Sequence, residues 1–277
     1  MKLFLLAHFI LAIVFAIPNP STCRCRPHQK CWPSAHEWSV LNHTIEGNLA
    51  AVHPLAAACH MGPDHDNIAC KEIASLWTNS TWRAAQPGAV QWENWEAWPE
   101  RNSSCYLDSA PESRCGQGRL SLYSVQAKST AHVQAAVRFA KQHNLRLAIK
   151  NSGHDFMGRS AAPESLQILT NAMKNITIVD DFVPSGGNIS EGQAATLDAG
   201  INLQEMYAAL RERSKVVVAG SAHTVGPTGG YIQGGGHSFL GTWKGMASDN
   251  ALEFSIVTAA VSSFFCYFSC YLWQMNG

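Results

Sequence analysis

Residues able to do chemistry concentrate in two loops. The first reads Lys150-Asn-Ser-Gly-His-Asp-Phe-Met-Gly-Arg-Ser160. The second reads Gly220-Ser-Ala-His-Thr-Val-Gly-Pro-Thr-Gly-Gly-Tyr-Ile-Gln-Gly-Gly-Gly-His-Ser238. Glycine lets backbone N–H groups approach an anion that a Cβ would hold away, so such loops make nests for phosphate. A diphosphate needs donors from two sides, and two loops can supply them. The chain has no Gly-x-x-x-x-Gly-Lys-Ser/Thr motif, and the run Gly234-Gly235-Gly236 lacks the Rossmann spacing and opens no helix. Zinc-protease and serine-hydrolase signatures are also missing. Glycine content alone fits a convoluted surface loop equally well.

The loops must hang on regular elements, and the pattern from Ser121 onward supplies them. Leu122 to Val125 reads as a short strand. Ser129 or Thr130 caps a helix to about His143, with Val133, Ala136, Val137 and Ala140 on its apolar face. Leu145, Leu147 and Ile149 alternate at strand spacing and run into the first loop. Further strands are predicted at Leu166–Leu169 and Thr196–Ala199. Asn202 caps a helix from Leu203 to about Arg213, Val216–Ala219 is a buried strand entering the second loop, and Ala251–Thr258 is a closing strand. The fold class is α+β.

Residues 17–118 form an irregular N-terminal region rich in Cys, Trp, Pro and His. A helix from Cys59 to Ile73 is pinned by Cys59 and Cys70. His60, Asp64, His65 and Asp66 have ligand chemistry, but Gly62-Pro63-Asp64 is turn chemistry, so a polar loop is preferred to a metal site. Trp77, Trp82, Trp92, Trp95 and Trp98 read as packing in a disulfide-stapled layer, with a carbohydrate-binding face as the alternative. Residues 1–16 have the form of a signal peptide, too short for a stable membrane span. The expected setting is therefore secreted. There, Cys23, Cys25, Cys31, Cys59, Cys70, Cys105 and Cys115 are disulfide candidates, an odd set of undetermined pairing. Sequons at Asn42, Asn79, Asn102, Asn175 and Asn188 agree with that route. Lys plus Arg equals Asp plus Glu at 20 each, which gives no electrostatic reason to expect nucleic acid. The low charged fraction of 14%, against 46% hydrophobic residues, excludes a disordered polymer.

Both loops, in this order and spacing, resemble those of the FAD-linked oxidases of the berberine-bridge-enzyme type, within the vanillyl-alcohol-oxidase superfamily. The matching text is Val137-Arg-Phe-Ala-Lys, Arg146 to Asp155, Gly158-Arg-Ser160, Thr224-Val-Gly, Gly229 to Ser238, Ser248 to Glu253, and Val257-Thr258. The segments from Gln86 to Trp92 and Asn94 to Glu96 are similar to fungal members. The resemblance covers about residues 117–259. It implies a PCMH-type FAD-binding domain, here incomplete and assigned to 119–259, that holds FAD. It further implies that His154 bonds to the 8α position of the flavin. Asn151, Ser152, Gly153, Asp155 and Gly158 would lie along the diphosphate in the first loop. Thr224, Val225, Gly226, Gly229, Gly230, Gly234, Gly235, Gly236 and His237 would line the cofactor in the second. Asp249, Asn250 and Val257 would contact it further on. Some relatives add a cysteine link at the position of Ala222, which has no thiol, so a second bond there is excluded. His223 replaces a proline and reads as loop packing. Val225 matches the residue said to gate oxygen, which favours an oxidase.

The implied activity is oxidation of a small organic alcohol, sugar or secondary metabolite, with hydride to flavin N5 and dioxygen as acceptor, giving hydrogen peroxide. No metal is expected. The base used by relatives lies beyond the matched portion, so none is named. Residues 260–277 are uncharged, aromatic and without turn signals, unlike the turn and strand expected there. They suggest a truncated product, such as a translated intron. A catalytically inactive flavin-binding fragment and a secreted carbohydrate-binding disulfide protein stand as alternative readings.

Overall fold

The computed structural model describes residues 23–260, and beyond them only the backbone of the short strands at 263–264, 269–271 and 273–274. The expected signal peptide and most of the apolar tail lie outside the described residues.

The first sheet is built from β1 (Leu49–Ala51), β2 (Tyr123–Gln126), β3 (Arg146–Lys150) and β4 (Ser165–Leu169). Its spatial order is β1-β2-β4-β3. β4 runs parallel to both neighbours, and β1 joins β2 antiparallel. β1 belongs to the N-terminal region, so that region extends the sheet rather than standing apart. The helices α1 (Ala35–Thr44), α2 (Asn67–Leu76) and α3 (Ser80–Ala85) complete that layer. The crossover between β2 and β3 is α4 (Thr130–Gln142), which starts at Ser129, whose side chain accepts from His132 N–H. Such a cap contributes about 1 kcal/mol. Ala136, Val137 and Ala140 on the face of α4 bury against Val125, Leu166 and Ile168. Trp38 of α1 closes this core, stacking on Tyr123 with centroids 4.2 Å apart.

The second sheet comprises β5 (Ile176–Val179), β6 (Ala194–Leu197), β8 (Ala251–Glu253) and β11 (Ser269–Tyr271), in the order β5-β6-β11-β8, all antiparallel. α5 (Leu203–Glu212) is closed by a capping box between Asn202 and Glu205. Its Leu203, Met206 and Leu210 form a second core with Ala195, Leu197, Val217 and Ala219. β7 (Lys215–Val216) pairs with β12 (Trp273–Gln274), and β9 (Ile256–Val257) with β10 (Ser263–Phe264). The last helix, α6 (Gly241–Lys244), is a single turn.

Several details differ from the sequence reading, and the strand read at Thr196–Ala199 lies two residues earlier, as β6. The closing strand is two, β8 and β9, because each pairs with a different partner on either side of Phe254 and Ser255. The strand entering the second loop ends at Val216, and Val217–Ala219 continue as buried chain in the second core. At the end of β3 the buried positions are Ala148 and Lys150, while Ile149 is 60% exposed. The apolar residue faces out because the lysine finds buried acceptors, described below.

Disulfides join Cys25 to Cys31, Cys59 to Cys70 and Cys105 to Cys115, leaving Cys23 as an exposed thiol. Cys59 ends a short 3-10 turn, and the helix it pins begins only at Asn67, after the Gly62-Pro63 turn. His60 is fully engaged: its ring nitrogens lie 3.0 Å and 2.9 Å from the carbonyls of Ser113 and Tyr106. Asp64 pairs with His53, and Asp66 caps α2. Among the described residues no helix is long and apolar enough to cross a membrane.

Candidate functional site

β3 delivers the first loop, and the chain leaving β7 delivers the second. The structure brings them into contact. His154 Nε2 lies 2.7 Å from Thr224 Oγ1. A Cβ at Gly226 would collide with Asn151 Nδ2, so only glycine lets the second loop seat on the first. Asn151 is itself held, donating to Ile201 O and accepting from Asn171 Nδ2.

The first loop is sorted by polarity. Each carbonyl from Asn151 to Phe156 accepts a hydrogen bond, from the N-terminal layer or from the loop itself. Lys150 Nζ takes Asn151 O at 3.2 Å, Gln91 Nε2 takes Ser152 O at 3.2 Å and Gln91 N–H takes Gly153 O at 3.0 Å. Trp92 Nε1 takes His154 O at 3.2 Å, Gly158 N–H takes Asp155 O at 3.2 Å and Trp95 Nε1 takes Phe156 O at 3.1 Å. The acceptors are spent, while the N–H groups of Ser152, Gly153 and His154 find no acceptor among the described residues. A row of such donors is an anion site. Gly153 makes the bend with φ +85°, and a Cβ there would sit 2.9 Å from Val90 Cα. The Ser152 hydroxyl is buried without a protein partner. A buried hydroxyl left unpaired costs about 1–3 kcal/mol, which a ligand oxygen would recover.

The second loop is braced in the same sense. Leu203 and Gln204, at the start of α5, donate to Val225 O and His223 O at 2.9 Å. Val225 packs on the second core. Pro227–Tyr231 is a wide, kinked turn that leaves helical geometry at Gly229, where Gly229 and Gly230 are exposed. Gly234 N–H bonds Gly230 O, and the carbonyls of Gly235 and Gly236 accept from Ser248 and Ala247. Tyr231 donates to His237 O at 2.7 Å. Burial pushes the Tyr231 hydroxyl up to about 12. Met246, Ala247 and Ser248 lie against the glycine run, and Asp249 and Asn250 hold that segment in place. Asp249 accepts from Met246 N–H, and Asn250 Nδ2 donates to Lys244 O and Met246 O.

Electrostatics favour a neutral imidazole at His154. Burial first, then His223 and Lys150, hold it below the ordinary histidine range. Asp155 is held low by hydrogen bonds from Arg159, so its carboxylate closes the loop. Gly158 lies under the Trp95 ring. Val257 is not brought to the loop pair; it packs on the first core. There it lines a cavity of about 1010 Å³ with Val137, Ala140 and Ile149. Sequence reasoning missed the clamp itself. Trp92 and Trp95 read as packing by their type, and Gln91 enters only within a segment similar to fungal members.

A family profile described as FAD binding domain matches residues 122–261. An uncharacterized FAD-linked oxidoreductase of Arthroderma benhamiae is 51% identical over 251 residues, covering 90% of this chain and 42% of that protein. FAD-linked oxidoreductase easE of Epichloe festucae var. lolii is 47% identical over 249 residues, covering 88% of this chain and 41% of that protein. Among solved structures, the VAO-type flavoprotein MtVAO615 from Myceliophthora thermophila C1 superposes with TM-score 0.81 at 34% identity. That match covers 91% of this chain and 50% of the other. The chain thus spans about two-fifths of the length of the curated relatives it matches.

Proposed function

The chain belongs to the FAD-binding domain family of FAD-linked oxidoreductases, and on that premise we propose that the two loops hold FAD with His154 as its covalent anchor. The observation that carries this reading is the loop pair itself, carbonyls tied back and N–H groups free, with a neutral imidazole fixed against Thr224. Ser152, Gly153 and His154 would hold the diphosphate through their N–H groups. Thr224 occupies Nε2, which leaves Nδ1 as the nitrogen to meet the 8α carbon. When bound, FAD would supply the hydride acceptor for a small alcohol, sugar or secondary metabolite, with dioxygen taking the electrons to give hydrogen peroxide. The two loops would orient the ring. Val225, beside Thr224, stands where access of oxygen would be set. Secretion and glycosylation complete the reading. They rest on the apolar N-terminus, the sequons and three disulfides, which form in oxidising compartments.

The test is to refold or secrete the full chain, load it with FAD, precipitate it with acid and digest it. A fluorescent peptide containing His154 is expected, and a colourless pellet from a folded sample would sink the proposal. A panel of sugars and alcohols with peroxide detection separates turnover from simple flavin holding.

A further inference from the structure

Beneath the first loop lies a charge cluster of Lys150, Glu96 and Arg83 that ties the loop to the N-terminal layer. Lys150 is 1% exposed. Its Nζ donates to Ala84 O at 2.7 Å, Gln86 O at 3.0 Å and Asn151 O at 3.2 Å. Three acceptors match the three protons of an ammonium, whereas a neutral amine would turn its lone pair on one of them. The lysine chain runs under the bend, with Cε 3.2 Å from where a Cβ at Gly153 would stand. Glu96 faces the cluster. It accepts from Arg83 and, at 2.8 Å, from Val90 N–H. Arg83 Nη1 is buried without a partner.

We propose that Lys150 is a positioning residue for flavin loading: its ammonium locks the His154 loop to the N-terminal layer and sets a positive charge at the start of that loop. This rests on the flavin reading above. The lock is geometric, since Ala84 and Gln86 end α3 while Asn151 opens the loop. The charge acts twice. It favours the diphosphate anion over the loop, and it disfavours a second proton on His154. The titratable groups facing His154 are Lys150 and His223. Asp155 beside it is engaged by Arg159, and Glu96 and Arg83 face the ammonium from the N-terminal layer. Burial pulls the lysine down to about 7, so the charge is present below that pH, where histidine protonation competes with attachment.

The full chain and its Lys150→Gln, Lys150→Met and Lys150→Arg variants are loaded with FAD across pH 5 to 8, after circular dichroism and thiol counting have shown folding. The wild type and Lys150→Arg should load alike within a few-fold. Lys150→Gln and Lys150→Met should bind FAD at least tenfold more weakly, and the acid limb of covalent attachment should move to higher pH. Equal affinity and an unmoved limb in a folded Lys150→Gln variant would overturn the proposal. A folded wild type that takes up no FAD would overturn the flavin reading instead. Should the neutral variants not fold, hydrogen exchange on the wild type decides. FAD should slow exchange in 84–87 and 151–154 together, and protection confined to the loop would refute the lock.

Discussion

At the scale of single residues, the site is an arrangement of hydrogen-bond partners more than of reactive groups. Thr224 is the clearest instance. Thr224→Val keeps the side-chain shape and removes the only described partner of His154 Nε2. Leaving a buried nitrogen unpaired costs about 1–3 kcal/mol, so covalent attachment should slow by roughly tenfold or more. A time course of acid-stable flavin reads this, and an unchanged rate would assign Thr224 to packing. Glu96 gives a pH prediction. Burial raises its carboxyl to about 7 against the lowering pull of Arg83. The folded chain therefore holds a proton that the unfolded chain has released. Its contribution to stability is full below about pH 4.5 and is lost as pH rises through about 7, by at most about 3 kcal/mol. Glu96→Gln should flatten that part of a denaturation series run between pH 4 and 8. His154 was legible through the resemblance of its loop to a family that carries a histidine there, since the glycines alone fit a surface loop equally well. Lys150 was not, because lysines are seldom fully buried and nothing local announces the three carbonyls that receive it.

At the scale of elements, helices were the most legible. Ser129 and Asn202 advertise the starts of α4 and α5, and both serve as caps in the structure. Strand faces were less so: parallel pairing of β3 with β4 is long-range, and it decides which side of β3 is inward. The contact between loops was invisible as well, since a glycine's value lies in what approaches it. Gly226→Ala tests that contact. Gly226 has an ordinary backbone angle (φ −82°), so only the collision with Asn151 is at issue. Overpacking of this kind costs about 1–3 kcal/mol. The variant should melt a few degrees lower and bind FAD at least tenfold more weakly by fluorescence titration. Normal affinity would mean the loops meet elsewhere.

At the scale of the whole molecule, the N-terminal region and the domain from 119 onward act as one body, through β1 on β2 and through the Trp92 and Trp95 clamps. The boundary near residue 118 marks a change of texture that cysteine and tryptophan content made plain. The clamp across it was hidden, since indole N–H partners are not encoded locally. Two of the disulfides, Cys59–Cys70 and Cys105–Cys115, staple loops in this layer, and His60 ties them together. Each such loop closure is worth about 2–3 kcal/mol. Mild reduction should therefore speed hydrogen exchange in 152–156, far along the chain from any cysteine, and unchanged exchange there would argue against the clamp. Among the described residues β3 has a neighbour on one side only, yet it carries the His154 loop. Opening at a margin does not require the interior strands to part, so the region is suited to detach and re-form as a small cooperative unit. The His154 loop can then settle late, on an otherwise finished molecule.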